Sequence, residues 1–227
     1  MLTYKNDTKL KTAMIKEVGK HRKADQILQG TYGKQNGQWK GCAVACSLRS
    51  LAIIQGEELM EDYNQHSRYE TGLGIPEWLA RLEDTIFEGL PKADAMKWPE
   101  QFLEAIPVGV DLEPVKWKFC AYLLKENLDR VLALKISDDL KKQVVDAIRQ
   151  SLAVNEEAIR TGKWDESAAW SAAESARSAA ESARSATWSA TWSAAWSAAW
   201  SAAWSATWSA AYQKYSKELL RLIKGTK

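Results

Sequence analysis

TWSATWSAAWSAAWSAAWSATWSA, residues 187–210, decides the fold. Trp188, Trp192, Trp196, Trp200, Trp204 and Trp208 recur at every fourth position, with only alanine, serine and threonine between them. Alanine is the best helix former, and neither glycine nor proline interrupts Lys163 to Lys224. Asp165 and Glu166 open this stretch while Lys214, Lys217, Arg221 and Lys224 close it, charges that complement a helix dipole. Six indoles on one segment cannot all be left in water. At about 150–250 Å² each and roughly 25 cal/mol per Å², covering them is worth on the order of tens of kcal/mol.

A helix advances 100° per residue, so each tryptophan lies about 40° further round than the last. The six drift by about 200°, a slow spiral in the sense that favours right-handed wrapping. Just upstream, the heptad Ser-Ala-Ala-Glu-Ser-Ala-Arg occurs twice, at 171–177 and 178–184. One helix across this half would be about 90 Å long. A compact domain built from the remaining chain is about 40 Å across. The helix therefore projects to meet another chain, or bends and folds back as an internal helix of one bundle. The spiral Trp188, Trp192, Trp196, Trp200, Trp204 and Trp208 is the expected oligomerisation surface.

Outward from the repeat, the pattern is helical throughout. Helices are expected over Lys9–Gln29, Cys42–Ile54, from Pro76 to Gly89, after Pro99, over Leu112–Leu124, and after a Ser137 cap toward Ile159. Asn36-Gly37 signals a tight turn. The expected class is all-α: a helical bundle with a long Ala/Ser/Trp C-terminal helix and at most one small β-hairpin near residues 31–40. Residues 1–161 read as a helical globular domain and 162–227 as the repeat helix, packed on that domain, on a second copy, or on both.

The net charge is +2 with both signs interspersed, so the chain does not read as a nucleic-acid binder. Ser185–Gln213 is uncharged and long enough to span a bilayer, but it contains no Leu, Ile, Val or Phe. Its tryptophans also run through the middle instead of marking two interfaces, so no membrane association is expected. Three cysteines and a charged stretch from Met1 to Lys20, without an apolar signal core, point to the cytoplasm.

Few residues suggest chemistry. Cys42 follows Gly41 at an expected helix start, where a thiolate would be stabilised. Gln38 precedes it, as in papain-like enzymes, yet the chain's last histidine, His66, sits in a polar loop. Cys42 and Cys46 share a helix face, and His21 and His66 would complete a zinc set, but the spacing does not require one and no metal is expected. Asp62, Glu70, Glu77 and Asp84 read as caps and solvated carboxylates. Gly72-Leu73-Gly74 is too short for a phosphate-binding fingerprint, and no cofactor is expected. The most site-like segment is the loop 29–40, which concentrates Tyr32, Gln35, Asn36, Gln38, Trp39 and Lys40. These are the candidate ligand-binding residues. A plain connection whose aromatics cover the core is the alternative.

Several segments together resemble a family of uncharacterised phage and bacterial proteins: His21-Arg22-Lys23-Ala24-Asp25, Gln29-Gly30-Thr31-Tyr32, Gly41-Cys42-Ala43-Val44, Gly74-Ile75-Pro76, Leu82-Glu83-Asp84, and Ile106-Pro107-Val108-Gly109 leading into Asp111-Leu112. An alanine-rich C-terminal repeat follows in that family too. The alanine-rich half is similar in composition to helical immunity proteins, which would imply neutralising a partner by binding. The expected function is thus a non-enzymatic helical binding protein that self-associates through its Trp repeat. Its further partner would be a host defence protein or a small nucleotide signal. A cysteine-dependent enzyme using Cys42 and a purely structural rod or spacer are the alternatives.

Overall fold

A computed structural model describes residues 1–35, 38–191 and 198–227, with side chains at all of these except 34–35, 183–191 and 198–208. The protein is all-α, with one small hairpin in which β1 (Lys34–Gln35) pairs antiparallel with β2 (Gln38–Trp39). The expected turn residues Asn36 and Gly37 lie outside the described residues. No helix among the described residues is long and apolar enough to cross a membrane.

The chain divides into two units: Met1–Glu113 with Ala199–Lys227, and Pro114–Ala198. The division differs from the 161/162 boundary expected from composition, for two reasons. The first turns of the repeat pack on the helix before Gly162, and the last turns belong to the unit that begins the chain.

In the first unit, α1 (Thr8–Lys23), α2 (Ala43–Gln55), α3 (Glu77–Gly89), the single turn α4 (Lys92–Ala95) and α5 (Trp98–Ala105) form the core. α2 is apolar on nearly every face, so it must be surrounded, and it packs on α1, α3 and α5. Val44, Leu48 and Leu51 of α2 are wholly buried with Met14, Leu79, Phe87 and Phe102. α1 stops earlier than the expected Gln29 because Asp25 takes φ +52°. Ile27 then runs alongside Gly41 in a parallel bridge. Burial of Ile27 is thus met by an extended segment instead of a further helical turn.

α9 (Ala198–Lys224) contributes its C-terminal turns to this unit, with Leu219 and Ile223 fully buried. The Tyr212 ring lies against Gly89, where an added Cβ would come within 2.2 Å of it. Gln213 Nε2 donates to Asp94 Oδ2 at 2.5 Å.

The second unit holds α6 (Glu113–Ala133, apart from Glu113 itself), α7 (Asp138–Thr161) and α8 (Glu166–Thr191). Ser137 caps α7 as expected, its Oγ accepting from the Leu140 amide, and Gly162 ends it at φ +69°. α7 and α8 run closely together. Their buried positions are small: Ala147, Asn155 and Ala158 with Val145 on α7, and Ala172 and Ala179 on α8. The two buried alanines of α8 occupy the same place in consecutive heptads. That spacing returns them to one side of the helix, where methyl groups let two backbones approach.

Trp192 and Trp196 lie outside the described residues, as do the side chains of Trp188, Trp200, Trp204 and Trp208. The expected packing of the six indoles therefore falls outside what is described.

Candidate functional site

Residues 29–33 leave the core and are tied to the C-terminal end of α3. The Gln29 side-chain amide donates to the Phe87 and Leu90 carbonyls at 2.7 and 3.0 Å, satisfying groups that a helix end leaves open. The Gly30 amide donates to both Glu88 carboxylate oxygens at 2.9 and 3.0 Å. Gly33 then bridges to Asp62 so closely that a Cβ there would sit 2.0 Å from the Glu61 carbonyl oxygen. These anchors place Tyr32 over α3.

Tyr32 donates its hydroxyl to Asp84 Oδ2 at 2.8 Å. His66 presents Nε2 to the same oxygen at 3.5 Å, while its Nδ1 lies 3.0 Å from the Asn64 carbonyl oxygen. Both ring nitrogens face acceptors. Asp84 and His66 are buried, whereas Tyr32 is 37% exposed and forms the outer edge of the cluster. Asp84 Oδ1 is also buried without a well-formed hydrogen bond, and the Cys42 thiol lies against this carboxylate.

The neighbouring Glu83 is fully buried, and no donor reaches either of its oxygens with hydrogen-bond geometry. Burial pushes its carboxyl well above the usual range, and the Asp84 charge adds to this against the opposing influence of Tyr69. The Tyr69 hydroxyl faces both Glu83 and Ser47 without a well-formed hydrogen bond to either, and the Ser50 hydroxyl nearby in the core is also without a partner. Orphaned buried polar atoms cost about 1–3 kcal/mol each, so a group of them between α2 and α3 calls for a functional reason.

Cys42 is the N-cap of α2, and its amide donates to the Thr31 carbonyl at 2.6 Å. A helix N-terminus would favour the thiolate by about 0.3–1 kcal/mol, less than one unit of pKa. Burial opposes it with up to about 3–5 units. Burial wins, Asp84 reinforces it, and the Cys42 thiol is pushed far up and stays protonated. Cys46 is raised for the same first reason and lies 3.4 Å from the Gly41 carbonyl oxygen. No group of three His, Cys, Asp or Glu side chains among the described residues is placed to hold a metal ion, so the combination of Cys42, Cys46, His21 and His66 is not assembled.

The expected ligand-binding residues separate. Tyr32 joins the Asp84 cluster. Trp39 belongs to a different one: its ring lies 5.3 Å from His21 and 6.1 Å from Tyr63, with the Arg49 guanidinium 4.6 Å from its centroid. Lys40 pairs with Asp25 at 3.2 Å, and Gln38 is exposed on β2. The Gln35 side chain and Asn36 lie outside the described residues.

His66 and Asp84, expected only as a zinc-set member and a solvated carboxylate, are buried together here, and Glu83 joins them from a position whose signal lies in the sequence. Leu79, Glu83, Ile86 and Leu90 follow the three-and-four spacing of one helix face, so a carboxylate occupies an apolar register. A separate open groove of about 490 Å³ between Leu90, Asp94 and Trp98 on one side and Gln213 and Lys217 on the other adds no orphaned buried group.

No protein-family model matches this chain, and no curated protein or solved structure is detectably similar to it.

Proposed function

We propose that this chain is a binding protein that works without covalent chemistry. It takes a small polar ligand at the Tyr32–Asp84–His66 cluster and self-associates through its C-terminal repeat. The observation that carries the ligand reading is the Asp84 carboxylate, buried beneath a half-exposed tyrosine with no well-formed hydrogen bond to its Oδ1. The Asp84 carboxylate offers an acceptor and negative charge, whereas Glu83, kept neutral by burial, adds none, so the cluster favours a ligand that brings N–H donors or a cation. Of the two expected partner classes, a nucleotide would engage through the amino edge of its base, since carboxylates repel its phosphates. A protein partner would engage through a donor side chain. Entry requires Tyr32 to swing away from Asp84.

Native mass spectrometry of the protein purified from its own host lysate, beside Asp84→Asn purified identically, tests this. A retained mass present in the wild type and absent from the variant supports the reading. An identical spectrum for both overturns it.

A cysteine-dependent enzyme is the second reading, favoured by the placement of Cys42 at the N-terminus of α2 in contact with the Asp84 cluster. Its protonated, buried thiol argues against it. Fast, selective iodoacetamide labelling of Cys42 near neutral pH would reverse that order.

A further inference from the structure

α8 has a second face, opposite its buried alanines. At 100° per residue, Trp170, Glu174, Arg177, Glu181 and positions 184 and 188 fall within about 80° of the helix circumference. That arc is centred roughly 170° from Ala172 and Ala179, the residues that α8 turns toward α7. Its described side chains are solvent-exposed: Trp170 is 75% exposed, and the Arg177 and Glu181 side chains are 73% and 69% exposed. An indole this exposed on a regular helix is unusual, because its burial is among the largest gains a side chain offers.

The order of residues along this face is Trp, Glu, Arg, Glu, Arg, Trp. Read backwards and laid on itself about residue 179, position 170 meets 188, 174 meets 184, and 177 meets 181. Every charged position then meets its opposite, and tryptophan meets tryptophan. A parallel alignment in register would set Glu on Glu and Arg on Arg. Self-complementarity under a twofold operation is the requirement for an isologous interface, and flanking Glu/Arg pairs set orientation in paired helices.

We propose that this outward face of α8 is the contact surface for a second copy of the chain, packed antiparallel about a twofold axis beside residue 179. The inference rests on the self-association reading above and moves its centre from the tryptophan spiral to the charged heptads before it. Arg177 and Glu181, already 3.4 Å apart within one helix, become half of a four-charge cluster at the axis. Trp170 gains a cover. Exposed ion pairs are individually weak and screened by salt, so the charges choose the partner and direction while the indoles supply the area.

The test uses two full-length variants. Glu174→Arg/Glu181→Arg makes the face wholly basic, and Arg177→Glu/Arg184→Glu makes it wholly acidic. Sedimentation velocity at micromolar concentration should give a wild-type dimer that weakens as sodium chloride is added. Each variant alone should dissociate roughly tenfold or more readily, and an equimolar mixture should restore a mixed dimer. Trp170→Ala, which alters no charge, should also weaken the wild-type dimer. A wild type that is monomeric overturns both this proposal and the self-association reading. A dimer equally strong in wild type and both variants overturns this face alone and leaves association through the tryptophan spiral standing.

Discussion

The Tyr32 hydroxyl reaches Asp84 Oδ2 at 2.8 Å across 52 positions of sequence, and this bond closes the irregular loop over α3. Removing it should loosen the loop without disturbing the core. Tyr32→Phe is expected to cost roughly 1.5–3 kcal/mol, the range for a hydrogen bond to a charged acceptor. Urea denaturation of the two proteins checks the magnitude. Faster hydrogen exchange at the Gly33 and Tyr63 amides would localise it, since the Tyr63 amide donates to the Tyr32 carbonyl.

Cys42 should resist alkylation. Its thiol is buried and pushed far up by burial and Asp84, so iodoacetamide near pH 8 should label it orders of magnitude more slowly than a free thiol. Half-buried Cys120 should label first. In denaturant all three cysteines should react alike, as followed by peptide mass spectrometry.

Glu83 should make stability fall as pH rises. Its folded pKa lies above the ordinary carboxylate value of about 4.3, so the folded state holds a proton that the unfolded state releases. The stabilisation is complete below that ordinary value and is lost as pH climbs through the folded pKa. Glu83→Gln keeps the shape and cannot ionise, so its urea midpoint should change less with pH over that window. A wild type and variant with parallel pH profiles would show that Glu83 is not held protonated.

Gly89→Ala should unseat the C-terminal turns of α9. Its Cβ would meet the Tyr212 ring at 2.2–2.4 Å, against the backbone of a well-packed helix end. Overpacking of this kind costs about 1–3 kcal/mol. Trypsin should then cut sooner after Lys214 and Lys217, measured by the time course of fragments. Tyr212→Ala in the same chain should restore part of the protection by making room.

Much of this architecture is legible in the residues. The apolar α2, the Ser137 cap, the Gly162 stop and the hairpin position all follow from local rules, because each depends on neighbours within a few positions. The division of the chain does not. Leu219 and Ile223 look like the apolar side of any terminal helix, and only the long-range match to the first unit decides where they are buried. Composition also misled at the site. Glu83 and Asp84 resemble ordinary helix-surface acids until the register Leu79–Glu83–Ile86 is followed, and His66 has no local pattern to mark it. The loop 29–40 drew attention for its aromatics, but Trp39 turns to His21 and Tyr63 while Tyr32 alone turns to the carboxylates.

The first unit is assembled from two stretches of chain with the other unit strung between them. During synthesis its earlier stretch leaves the ribosome with the seats for Leu219, Ile223 and Tyr212 still bare. They stay bare until Pro114–Ala198 and then the final turns have been made. The nascent protein therefore passes through an interval in which an alanine-rich hairpin is complete while its host is still unsealed, and chaperone capture should concentrate in that interval.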